Sequence, residues 1–221
     1  MKKASKPHPK DILAKYIPAK SLNTVYSWIV EFKVSLVINK SRSTKLGDYR
    51  SPYMGKGHRI TVNHDLNQYS FLITLVHEIA HLTAWEKFKN RVPPHGKEWK
   101  KEFQVLLSPF LNNEVFPDDV LSALTSYIQN PAAASCTDSN LLRTLRRYDA
   151  PDSLQTIFHV EDLPEGAVFY LKNGMGFKKG VRLRKRFQCT EIKTKKTYLV
   201  NPLAEAMIPQ KAAEAGQLKL L

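Results

Sequence analysis

Apolar positions along this chain fall into two helical runs, a few short alternating runs and a polar gap. Phe71, Leu72, Leu75, Val76, Ile79 and Leu82 recur densely enough to bury a helix over residues 68–89. Pro93 and Pro94 stop it, and Trp99, Phe103, Leu106 and Leu107 then give the i, i+4, i+7, i+8 spacing of a second amphipathic helix over 95–107. Upstream, Asp11–Tyr16 and Ser21–Phe32 read as helices, the latter with Ser21 as its N-cap. Lys33–Asn39 alternates as a strand and Arg59–Asn63 as another, with a Gly55/Gly57 turn region between them. Pro117 precedes a helix over Asp118–Ile128, the small polar stretch Asn130–Asn140 reads as a linker, and Leu141–Tyr148 forms a short basic helix. Beyond it, Thr156–Val160, Ala167–Leu171, Val181–Thr190 and Thr197–Val200 read as short strands. The pattern predicts an α+β protein without internal repeats. A mainly helical domain with a small β-hairpin or sheet spans 1–129, a linker and short helix span 130–155, and a small β-rich module spans 156–221.

The first helical run carries chemistry. Residues 77–81 read His-Glu-Ile-Ala-His. Histidines four apart on a helix lie about 40° from each other around the axis, so both rings leave one face. Such a pair can hold zinc through neutral imidazole nitrogens, with Glu78 placed to take a proton from an activated water. The competing reading, two histidines satisfied without metal, requires three polar groups buried at a cost. Catalytic zinc takes three protein ligands. The longer metzincin pattern fails, because its glycine position is Ala84 and its last histidine position is Lys87. Glu98 or Glu102 could supply a carboxylate from the second helix. His95 is the stronger third ligand: it lies at the mouth of the helical hairpin, whereas Glu102 also reads as a solvated helix residue.

His-Glu-Ile-Ala-His, a gap of 13 residues, then His95-Gly96 and Trp99 resemble the SprT-like metallopeptidase family, which includes the Spartan-type proteases. Ser43-Thr44-Lys45-Leu46-Gly47 and Arg59–Asn63 resemble that family's β-hairpin before the active-site helix. The resemblance spans residues 25–110 well and the remainder loosely. It implies a zincin-like endopeptidase domain with His77, His81 and His95 as ligands to one Zn²⁺ and Glu78 as general base. By kinship alone, it also implies protein substrates held on or near DNA. Two departures stand out. Many family members have a C-terminal zinc ribbon of two cysteine pairs, but this chain has only Cys136 and Cys189, so a Cys₄ site is excluded. Leu46-Gly47-Asp48-Tyr49 also lacks the aromatic residue before the glycine and the Ser-Cys after it that many relatives carry. In the implied reaction, Glu78 assists attack of zinc-bound water on a peptide carbonyl. Among Tyr49, Arg50, Tyr53 and His64, nothing in the sequence singles out a partner for the oxyanion.

Charge changes the picture at the other end. The 221 residues carry a net charge of +14, and 43% are hydrophobic, enough for a packed core. Between Lys172 and Lys196 stand ten Lys/Arg against Glu191 alone. Read as a strand, Val181–Phe187 puts Arg182, Arg184 and Arg186 on one face and Val181, Leu183 and Phe187 on the other. Lys178, Lys179, Arg182, Arg184, Lys185 and Arg186 are therefore candidate nucleic-acid contacts, with Phe177 or Tyr198 available to stack on unpaired bases. A solvated face or a protective charged edge is the competing reading. The start of the chain has no signal-peptide pattern, and no apolar run approaches the ~20 residues of a membrane helix, so a cytoplasmic location without membrane contact is expected. The reading that results is a zinc-dependent endopeptidase acting on proteins on or near DNA. Its alternatives are a non-enzymatic nucleic-acid-binding protein with a structural or vestigial zinc site and a general cytoplasmic metalloprotease without nucleic-acid dependence.

Overall fold

Local chemistry sets where most elements begin. The structure, a computed structural model, describes residues 8–42, 45–129, 131, 138–149, 158–171 and 173–208. It divides into two units, residues 1–150 and 151–221.

In the first unit, α1 (Pro9–Leu13) starts with proline in its first turn and His8 as its cap, and ends before Tyr16. In α2 (Leu22–Glu31), Ser21 occupies the N-cap position, but its hydroxyl donates back to the Pro18 carbonyl (2.7 Å) instead of capping the helix. Strands β1 (Ser35–Asn39), β2 (Gly47–Arg50) and β3 (Arg59–Asn63) form one sheet in the order β1-β3-β2. β1 runs parallel to β3, and β2 pairs with β3 antiparallel. The hairpin partner of β3 is thus β2, from a segment whose sequence has no strand alternation, while Lys33–Asn39 supplies the far edge. β3 is central, and Ile60, Thr61, Val62 and Asn63 are all buried.

α3 (Gln68–Phe88) is capped by Asn67, whose side chain accepts from the N–H groups of Tyr69 and Ser70 at 3.1 and 2.9 Å. Thirteen of its 21 residues are buried, so it is covered nearly all round and forms the axis of the unit. α4 (Lys97–Leu107) packs on it through Trp99, Phe103 and Leu107, and α5 (Asp118–Ile128) adds Val120 and Leu124 to the same core. α6 (Ser139–Arg146) is capped by Asp138 and buries Leu141 and Leu145 in this core too. The Asn67 amide secures it by donating to the Leu145 carbonyl (2.9 Å) and to Asp149 (2.6 Å). The short basic helix therefore belongs to the first unit and is not part of a free linker. Most of Asn130–Asn140, with Cys136, lies outside the described residues.

In the second unit, β5 (Val168–Tyr170), β6 (Gly176–Leu183), β7 (Arg186–Glu191) and β8 (Thr197–Val200) form an antiparallel meander. β4 (Phe158–His159) pairs with β9 (Glu205–Ala206). Phe169, Phe177, Phe187, Cys189 and Val200 line its core. Val181–Thr190 is not one strand. Leu183 pairs with Arg186, and Arg184 and Lys185 form the two-residue turn between β6 and β7, with Arg184 at φ 48°. The protein is thus mixed α+β, with six helices and three small sheets among the described residues.

Candidate metal centre

Three histidines from two elements converge. His77 and His81 leave the same face of α3, and His95 comes from the bend before α4. Their Nε2 atoms form a triangle of 3.1 Å (His77–His95), 3.3 Å (His77–His81) and 2.9 Å (His81–His95). Zinc–nitrogen bonds of about 2.0–2.1 Å in a tetrahedron put ligand nitrogens about 3.3 Å apart, so this triangle is close to that of a three-histidine site. Among the described residues it is the one group of His, Cys, Asp or Glu side chains arranged to hold a metal ion, and the donor set suits zinc.

Packing fixes the rings. Trp99 lies beneath all three, with centroids 4.5 Å from His77, 5.3 Å from His81 and 4.7 Å from His95. Phe103 stacks on Trp99 at 5.2 Å and 8°. His95 has φ 59°, in the left-handed region, a conformation costing about 1–2 kcal/mol for a residue with a Cβ. A turn holds it there, the Gly96 N–H donating to the Pro93 carbonyl at 3.1 Å. Burial, and then His81 and His95, bring the His77 pKa down to about 3; burial, and then His95, bring His81 to about 4. Burial also lowers His95. All three rings are therefore neutral and offer lone pairs, the form in which imidazole binds metal.

Glu78 is buried between α3 and the sheet edge. Burial, then the charge of Asp48, raise its pKa to about 8; a hydrogen bond from the Tyr49 backbone N–H and the charges of Lys45 and Arg42 pull the other way. A carboxyl tuned near neutrality suits a proton acceptor. Gly47 makes the approach possible: a Cβ there would stand 2.6 Å from Glu78 Oε1 and 2.8 Å from Thr74 Cγ2.

The other sequence candidates lie elsewhere. Glu102 is neither solvated nor near the triangle; it is buried, and Lys87 Nζ bonds both its oxygens at 2.7 and 2.8 Å. Glu98 sits beside Lys97 at 3.9 Å. Tyr53 is exposed, Arg50 is paired with Asp48 (3.1 Å) and His64 with Asp65 (3.8 Å). Tyr49 alone of that group reaches the centre, its ring parallel to His81 at 6.5 Å. Sequence reasoning missed Gly47 and the Tyr49 N–H, because no spacing rule links a short edge strand to a helix some thirty residues away.

The basic candidates divide. Lys178, Arg182, Arg184, Lys185 and Arg186 are exposed, and the last four, with Leu183 and Leu199, line an open groove at the hairpin tip. Lys179 is buried, with its Nζ 4.1 Å over the Phe187 ring and donating to the carbonyls of Glu161 (3.1 Å) and Leu163. It is a structural cation, unavailable to a phosphate. Phe177 is likewise buried and cannot stack on a base, whereas Tyr198, edge-on to it at 5.6 Å, is exposed. The bulge between Lys179 and Arg182 breaks the alternation on which the strand reading relied.

No helix among the described residues is long and apolar enough to cross a membrane. No solved structure matches the chain. Among curated proteins it is 39% identical to Protein SprT of Cronobacter sakazakii over 85 residues, 38% of this chain and 47% of that protein. It is 31% identical to Protein SprT of Yersinia enterocolitica over 108 residues, 48% of this chain and 59% of that one. The chain thus spans about half the length of the curated relatives it matches. The SprT-like family model matches residues 19–114, which hold α2 to α4, the three-stranded sheet and every residue of the histidine triangle. Residues 19–114 of this chain thus match the SprT-like family.

Proposed function

We propose that this protein is a zinc-dependent endopeptidase of the zincin-like kind, with one Zn²⁺ per chain held by His77, His81 and His95. The observation that carries this reading is the triangle of three neutral imidazole nitrogens, 2.9–3.3 Å apart, two of them on the helix that also bears a buried glutamate. Zinc, when bound, supplies Lewis-acid activation of a water and of a peptide carbonyl. Trp99 and Phe103 exclude water from one side of the rings and hold their orientation. Glu78 accepts the water's proton at its carboxylate and returns it to the leaving amine. A purely structural site has no use for such a carboxylate.

Glu78→Gln separates the two readings. Zinc content stays near one per chain by atomic emission while cleavage of an unfolded protein substrate stops. Unchanged cleavage would remove Glu78 as the base.

The second unit supports a partner for the reaction. Five exposed cations at the β6–β7 hairpin, with Tyr198 exposed nearby, suit an unpaired nucleic-acid strand. We place the substrates, in this reading, among proteins on or near DNA in the cytoplasm. The assay is cleavage of a DNA-binding basic protein with and without DNA; no stimulation by DNA leaves a general peptidase.

A further inference from the structure

The edge strand that meets Glu78 is tied to α3 at a second point. Tyr49 Oη and His58 Nδ1 are 3.0 Å apart, and the two rings stack at 5.9 Å and 22°. His58 Nε2 is in turn 2.9 Å from Glu86 Oε1, on the same helix as Glu78. An ionised carboxylate only accepts, so the imidazole hydrogen sits on Nε2, and Nδ1 is left to accept from the Tyr49 hydroxyl. Trp85 packs edge-on against His58 at 5.5 Å, and Lys89 steadies Glu86 at 3.2 Å. The hydrogen bonds therefore run in one direction, from Tyr49 through His58 to Glu86.

The main chain of the same tyrosine faces the catalytic carboxylate. Asn63 N donates to the Leu46 carbonyl at 2.9 Å, so the antiparallel alternation turns the N–H of Tyr49 away from β3. It bonds Glu78 instead. Two residues back, Gly47 leaves no room for even a methyl group against the Glu78 carboxylate. β2 thus touches α3 at Glu78 directly and at Glu86 through His58. Between these points the Tyr49 ring lies parallel to that of His81.

We propose that Tyr49, held by His58 and Glu86, is the positioning residue for Glu78: the side-chain relay fixes β2 so that the Tyr49 N–H orients the carboxylate. The catalytic consequence rests on the peptidase reading above; the positioning itself does not. Misplacing a reacting group by about 1 Å can cost on the order of a hundredfold in rate.

The test uses the full-length protein with Tyr49→Phe, His58→Ala, Glu86→Ala and Glu86→Gln. Glu86 is exposed, so its variants fold even where changes at Tyr49 fail to. The first readout is amide hydrogen exchange at residue 49 in the metal-free protein, which needs no activity. An outward N–H on an edge strand is protected only by its acceptor. Exchange speeds up in Glu78→Ala, Tyr49→Phe, His58→Ala and Glu86→Ala, and stays slow in Glu86→Gln, which keeps an acceptor oxygen. The second readout is kinetic. With zinc content unchanged, kcat falls roughly ten- to a hundredfold while KM holds, and Tyr49→Phe with His58→Ala falls no further than the worse single variant. Fast exchange at residue 49 in the wild type, or protection indifferent to these variants, overturns the proposal. So do additive losses or an unaltered kcat in a wild type that cleaves. A wild type that shows the exchange pattern yet cleaves nothing overturns the peptidase reading and upholds the positioning.

Discussion

The histidine triangle and the basic hairpin show two ways a chain can present polar groups. At the first, His77 and Glu78 are packed between α3, α4 and a sheet edge, and burial, more than any neighbouring charge, moves their proton affinities far from ordinary values. At the second, Arg182, Arg184, Lys185 and Arg186 stand in solvent on a two-residue turn. Packing turns the first set into reagents with a fixed geometry and protonation state. The second set acts through its summed field, which is screened by salt and tolerant of small displacements. One lysine crosses between the classes. Lys179 sits in the basic sequence but is buried, and burial lowers its pKa against the pull of Cys189, Asp162 and Glu161.

Substitutions at the buried centre carry the largest expected effects. His95→Ala reduces zinc from one per chain to a trace and abolishes cleavage; zinc retained there but lost in Glu102→Ala would sink the ligand assignment. Glu78→Gln keeps zinc and lowers kcat by roughly a hundred- to ten-thousandfold. Gly47→Ala forces a methyl group to within 2.6 Å of Glu78 Oε1 and destabilises the protein by about 1–3 kcal/mol in urea unfolding, with activity falling further than stability explains. A Gly47→Ala protein with wild-type rates would remove the steric link between β2 and the base. Lys179→Met leaves the Glu161 carbonyl without this donor and costs about 1–3 kcal/mol, read from thermal unfolding, with DNA affinity unchanged. The smallest effect on folding comes from changing Arg182, Arg184, Lys185 and Arg186 together to serine. Stability holds within about 0.5 kcal/mol, while the slope of log affinity against log salt drops by about 0.7 per lost contact with single-stranded DNA. An unaltered slope separates the hairpin from any nucleic-acid role.

What was legible in the sequence was mostly local. The pair His77/His81 follows from helix geometry, and His95 from two prolines that end one helix and the apolar spacing that begins the next. The relation of Gly47 to Glu78 was not legible, because a sheet edge and a helix meet there from positions 31 residues apart. The relay through His58 to Glu86 is invisible for the same reason. In the basic region, alternation failed for two physical reasons. A bulge shifts the register between Lys179 and Arg182, and the turn at Arg184-Lys185 carries none of the Gly or Asn residues that announce a positive φ. The α+β character survives these errors, since it depends on which segments bury apolar area rather than on their pairing.

The ion pair between Lys87 and Glu102 has a consequence for metal supply. It straps α3 to α4 about two turns from the histidines, alongside the apolar seam of Trp99 and Phe103. The hairpin that brings His95 to the pair on α3 is therefore closed by contacts that need no ion. In the proposed zinc reading, metal loading becomes a local exchange at a finished site instead of the event that drives folding, as it is in zinc fingers. Such a protein can be made, kept and stripped by chelators in its folded form. In the proposed peptidase reading, activity then follows the free zinc concentration, while abundance does not.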